Sequence, residues 1–98
     1  MFNKVEAKHL NIRIYGRVQG VSFRESAKAE AEKLGLVGFV RNEPDGSVYI
    51  EVEGTKEDLD KFLIWCNDGS EAAEVEKVEV TKDPVKNFSD FKRDFLDY

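Results

Sequence analysis

Gly16-Arg17-Val18-Gln19-Gly20-Val21-Ser22-Phe23-Arg24 joins two segments of different period. Before it, Leu10, Ile12 and Ile14 alternate with Asn11, Arg13 and Tyr15, the period-two pattern of a strand with one face in a core. After it, Phe23, Ala27, Ala31 and Leu34 recur at helical spacing and predict a helix from about Ser22 to Leu34, stopped by Gly35. The joining loop has two glycines suited to unusual backbone angles, a run of main-chain N–H groups and an arginine at the helix start. Together these can cage one phosphate group.

Working outward, Gly38 to Asn42 reads as a second strand and Ser47 to Glu53 as a third, with Val48, Ile50 and Val52 facing inward. Glu43-Pro44-Asp45-Gly46 between them is a tight turn: proline presets one backbone angle and glycine accepts a left-handed one. Thr55 is placed to cap a second helix, with Asp58 at its third position and an apolar stripe of Leu59, Phe62, Leu63 and Cys66. Asn67-Asp68-Gly69-Ser70 ends that helix. Val75 to Thr81 is a fourth strand using Val78 and Val80, and Asp83-Pro84 breaks the chain. The spacing of Phe88, Phe91, Phe95 and Tyr98 admits either a short fifth strand, with Phe91, Arg93 and Phe95, or a helix. The order βαββαβ lets two helices cover one face of a mostly antiparallel sheet, an α/β sandwich of the α+β class.

The 98 residues suit one domain, 1–98, with its core over about 8–96. At 41% hydrophobic residues the chain can fill a small core, so wholesale disorder is not expected. A net charge of -5 disfavours general nucleic-acid binding, which needs a basic surface. The single cysteine, Cys66, permits no internal disulfide and no cysteine metal cluster, and fits a reducing compartment. Residues 1–8 contain no apolar run like a signal peptide, and no segment is long and apolar enough to span a bilayer. A soluble cytoplasmic monomer is expected.

Two ordered motifs carry a resemblance. Gly16 through Arg24 is similar to the acylphosphatase segment glycine–valine–glutamine–glycine–valine followed by an aromatic residue and arginine. Gly38-Phe39-Val40-Arg41-Asn42, then Gly46-Ser47-Val48 and Gly54, resembles the family's second motif at the matching separation. Leu34-Gly35-Leu36 and, more weakly, Ala73, Val75 and Val78 extend the likeness. It implies a ferredoxin-like fold and metal-independent, cofactor-free hydrolysis of small acyl phosphates to carboxylate and inorganic phosphate. By the same resemblance Arg24 holds the phosphoryl oxygens and Asn42 orients the attacking water. The backbone of Arg17, Val18, Gln19, Gly20, Val21, Ser22 and Phe23 lines the phosphate cradle. Gly69-Ser70 departs from the family's usual glycine–proline pair and predicts a less rigid turn.

Residue chemistry is consistent with those roles. Arginine keeps its charge and offers a planar fork of donors. The Asn42 amide both accepts and donates but is no strong base. Each residue also has a plainer reading: Arg24 on a helix surface, Asn42 opening a turn, Gln19 exposed or bracing the loop, Gly16 and Gly20 shaping the backbone. Ser22 lacks a histidine–acid partner pair and is expected to cap the helix or bond within the loop. His9, the lone histidine, is expected in coil or at a strand end. Cys66 is expected as a packed thiol, and Trp65 at the edge of its stripe. Glu51, Glu53, Glu57, Asp58 and Asp60, and again Glu71, Glu74, Glu76 and Glu79, are expected to form hydrated acidic faces. The competing functions are a non-catalytic anion-binding or regulatory module on the same fold, an RNA-binding domain and a structural interaction protein.

Overall fold

The computed structural model describes residues 6–94. The alternating segment forms β1 (Lys8–Arg17), longer at both ends than its apolar pattern. Then follow α1 (Phe23–Lys33), β2 (Val37–Asn42), β3 (Val48–Gly54), α2 (Lys56–Asp68), β4 (Glu74–Asp83) and β5 (Phe91–Asp94). The strands make one sheet in the order β4-β1-β3-β2-β5. Its first four strands pair antiparallel, and β5 joins the far edge parallel to β2, with Gly38 opposite Phe91. The sheet is therefore mixed, and the chain has the ferredoxin-like βαββαβ arrangement with one strand added. Of the terminal aromatic positions, Phe91 is buried in β5, while Phe95 and Tyr98 lie outside the described residues.

The helices cover one face. Leu10, Ile12, Ile14, Val40, Val48, Ile50 and Val52 point from the sheet into a core shared with Phe23, Ala27 and Ala31 of α1 and Leu59, Phe62 and Cys66 of α2. The two alanines let α1 lie close to the strands. The Gly35 and Leu36 N–H groups close on the Glu32 and Ala31 carbonyls at 3.0 and 2.9 Å, so the helix ends where the glycine predicts. Thr55 Oγ1 accepts from the Asp58 N–H at 3.2 Å, the expected cap of α2. Burial pushes the Cys66 thiol well above its ordinary range, as a packed thiol requires. At the end of β1 the pairing with β4 shifts register between Tyr15 and Gly16. Gly16 has φ +132°, and a Cβ there would sit 2.1 Å from the Glu74 carbonyl oxygen, so only glycine allows this close approach.

The other face corrects one expectation. Residues 84–90 leave β4 at one edge and cross the sheet to reach β5 at the other, forming a strap over β1, β3 and β2. Beneath it, Glu51 and Glu53 are buried rather than hydrated, and His9, near the start of β1 as one of its two expected places, is buried with them. His9 Nδ1 lies 2.7 Å from Glu53 Oε2, and Nε2 lies 2.8 Å from Asn11 Oδ1. Glu53 accepts from the strap's Lys86 and Phe88 N–H groups at 2.5 and 3.2 Å, and Glu51 from Lys86 Nζ at 2.8 Å. Phe88 stacks on His9 and meets Phe39 edge-on. Burial favours the neutral acid in both carboxyls, yet the donors outweigh it and hold both below their ordinary range. Glu57, Asp60, Glu71, Glu74, Glu76 and Glu79 are exposed, as expected of a solvated face.

Candidate active site

The glycine loop is anchored at both ends. Val18 is buried, and Phe23 is buried against Trp65, their rings 5.1 Å apart. Between these anchors Gly20 and Ser22 are exposed. Gly20 has φ +74° and Ser22 φ +61°, so two left-handed residues turn the chain sharply into α1. For Gly20 the angle carries no Cβ penalty. Ser22 occupies the cap position but makes no side-chain cap hydrogen bond, contrary to expectation. A left-handed angle replaces the extended angle that a capping side chain needs. The Ser22 carbonyl instead accepts from the Ser26 N–H at 3.0 Å. The N–H groups of residues 23–25 belong to the first turn, which has no intrahelical acceptors for them.

Three tethers bring this loop to one end of the sheet, where β1, β2 and β5 finish and β3 begins. Gln19 Nε2 donates to the Glu43 and Ser47 carbonyls at 2.8 and 2.9 Å, joining the loop to the β2–β3 turn. Ser70 Oγ donates to the Val21 carbonyl at 3.3 Å, joining it to the α2–β4 connection. The serine of the Gly69-Ser70 pair thus supplies a tether whose hydroxyl donor a proline lacks. From the second position of α1, Arg24 Nη1 donates to the Asp94 carbonyl at 3.2 Å. Asp94 lies opposite Arg41 in the β2–β5 register, one residue from Asn42.

Asn42 ends β2 opposite Val48. Its Oδ1 is buried and accepts no hydrogen bond from the described residues. Such a buried acceptor is an exception in native proteins, costing roughly 1–3 kcal/mol when unpaired. The turn beside it is firmly set. Glu43 N–H donates to the Ser47 carbonyl at 2.8 Å, Asp45 Oδ1 accepts from Ser47 N–H at 2.9 Å, and Arg41 Nε donates to Glu43 Oε2 at 2.6 Å. That last contact raises the Arg41 guanidinium above its ordinary value.

Among the expected cradle residues, Arg17 directs its exposed side chain to Glu74 at 3.5 Å. The Gln19 side chain is committed to the hairpin. Sequence reasoning named the loop, Arg24 and Asn42, but not the Asp94 or Glu43 carbonyls, because a backbone acceptor leaves no mark on residue type. A groove of about 540 Å³ on the helix side, lined in part by Leu10, Leu59, Leu63 and Val80, shares no residue with the loop. Among the described residues no three His, Cys, Asp or Glu side chains are grouped to hold a metal ion, and no helix is long and apolar enough to cross a membrane.

A glycine loop opening a helix at the end of such a sheet is the arrangement of a phosphate-handling α+β domain. The acylphosphatase family model matches residues 10–93. An acylphosphatase of Anaeromyxobacter dehalogenans is 44% identical over 94% of this chain and 97% of its own. One from Nocardioides sp. is 51% identical over 72% of each chain. The crystal structure of acylphosphatase from Bacillus subtilis superposes with a TM-score of 0.88 at 34% identity, covering 90% of this chain and 99% of that one. The chain belongs to the acylphosphatase family and is a hydrolase acting on acyl phosphates. Nothing in these comparisons supports the non-catalytic alternative.

Proposed function

We propose that this acylphosphatase works with Arg24 and Asn42 at the glycine loop and without a metal or a phosphoenzyme. The phosphoryl group lies in the backbone cradle of residues 17–23, its oxygens held by N–H groups and the Arg24 guanidinium. Asn42 accepts one hydrogen bond from a water and orients it in line with the scissile bond. As water oxygen bonds to phosphorus, the bond from phosphorus to the carboxyl oxygen breaks and the electron pair leaves on the carboxylate. A phosphate oxygen of the substrate takes the water proton, so no strong protein base is needed. The buried, unpaired Asn42 Oδ1 carries this reading: its cost is offset if a water fills it during turnover. We further read the protein as a cytoplasmic monomer, one domain with no nucleic-acid partner. The net charge of -5 supports the absence of a nucleic-acid partner, and the single cysteine fits a reducing compartment.

Phosphate release from acetyl phosphate, in excess chelator and beside a phosphate-monoester control, tests the whole proposal. The wild type should hydrolyse the acyl phosphate at full rate and leave the monoester intact. Folded Asn42→Ala should lose turnover while inorganic phosphate still inhibits at nearly the wild-type concentration, because a contact made mainly in the transition state has gone. Activity lost on chelation and restored by one returned ion would overturn the metal-free mechanism. Normal turnover by Asn42→Ala would overturn the role of Asn42.

A further inference from the structure

The Gln19 side chain spans the mouth of the β2–β3 turn. Its single NH2 group gives one hydrogen to the Glu43 carbonyl at 2.8 Å and the other to the Ser47 carbonyl at 2.9 Å. Both carbonyls already accept within the turn, from Gly46 N–H at 3.1 Å and Glu43 N–H at 2.8 Å. Gln19 therefore takes the second lone pair of each. The turn does not need it for shape: the Asp45–Ser47 contacts, the Arg41–Glu43 pair and the Arg13–Glu43 pair at 3.5 Å already set that. What Gln19 adds is the placement of the turn relative to the loop. Asn42 immediately precedes Glu43, and its register partner Val48 immediately follows Ser47. The two acceptors thus flank the Asn42–Val48 pair.

We propose that Gln19 is a positioning residue for turnover. It fixes the distance between the phosphate cradle and the Asn42 amide and makes no contact with substrate through its side chain. This rests on the reading of Asn42 given above. An error of about 1 Å in such a distance can cost about a hundredfold in rate, while an anion held by the cradle backbone and Arg24 feels it little.

Two substitutions and a cycle test this. Gln19→Met keeps the length and removes both donors. It should lower kcat about tenfold while inhibition by inorganic phosphate changes less than about twofold. In the double variant with Asn42→Ala, the Gln19 substitution should add almost nothing to the loss in kcat, since the group it positions is gone. Gln19→Glu puts a carboxylate against two carbonyl oxygens, but once protonated it regains one O–H donor. Its kcat relative to wild type should rise as pH falls through the carboxyl range. Glu43, Asp45, Arg13 and Arg41 face the turn in both proteins, so wild type measured at the same pH is the reference. If Gln19→Met fails to fold, the Gln19→Glu ratio decides alone, and a flat ratio overturns the proposal. So does wild-type kcat in folded Gln19→Met, or a multiplicative double-variant loss, when Asn42→Ala is itself impaired. Wild-type kcat in Asn42→Ala would instead overturn the underlying reading of the site.

Discussion

Arg24 begins in the first turn of α1 and ends on the Asp94 carbonyl of β5. That contact leaves the guanidinium reaching across the end of the sheet rather than into solvent, so its plainer reading as a surface helix residue does not describe it. Arg24→Ala should fold and lose about a hundredfold in turnover, the loss of roughly 3 kcal/mol of transition-state stabilisation, together with phosphate affinity. Steady-state hydrolysis and phosphate inhibition measure both. Arg24→Lys should rescue poorly, since it restores charge without the fork. Arg24 and Asn42 stood out in the sequence because motif and residue type coincide there, and the roles proposed for them await that measurement. Glu51 and Glu53 misled for the opposite reason. Charged residues alternating with apolar ones describe a solvated strand face equally well with or without a cover, and the pattern along β1 and β3 contains nothing of the strap.

Among the elements, the helices and central strands were readable from period and punctuation. Phe23, Ala27 and Ala31 gave α1, the Gly35 stop gave its end, and Thr55 with Asp58 gave the start of α2. Thr55→Ala should cost about 1 kcal/mol by removing the cap, read as a lower midpoint in denaturant with an unchanged slope. The least legible elements are the fifth strand and the strap before it. Phe88 and Phe91 share an aromatic spacing that suits a helix, yet Phe88 packs on one sheet face and Phe91 is buried beside β2. Only long-range partners separate them. Val80 shows the same limit, since it continues the apolar pattern of β4 but is 40% exposed at the sheet edge.

At the scale of the whole molecule, acid should act through the strap. Glu51 and Glu53 have folded-state values below the ordinary carboxylate range. Depressed acids contribute stability that is complete above their unfolded values and lost as pH falls through the folded ones. Urea midpoints should therefore fall between about pH 5 and pH 2, and the fall should be shallower in Glu53→Gln than in the wild type. An equally steep fall in that variant would remove Glu53 from the account. Tyr49 stays outside this titration: burial first, then its hydrogen bond to Glu51, pushes its hydroxyl up to about 12, so it remains a donor throughout.

The strap also imposes an order of events in synthesis. Translation releases the glycine loop and Arg24 early and Asp94 seventy residues later. A nascent chain can pair β1 with β3 and lay α1 on them while the arginine still lacks the carbonyl that receives it. Catalytic competence should thus arrive in a late step, after most of the core has formed, when residues 84–90 cross the sheet and deliver β5. Ribosome-stalled chains of increasing length should become resistant to protease before they hydrolyse acetyl phosphate.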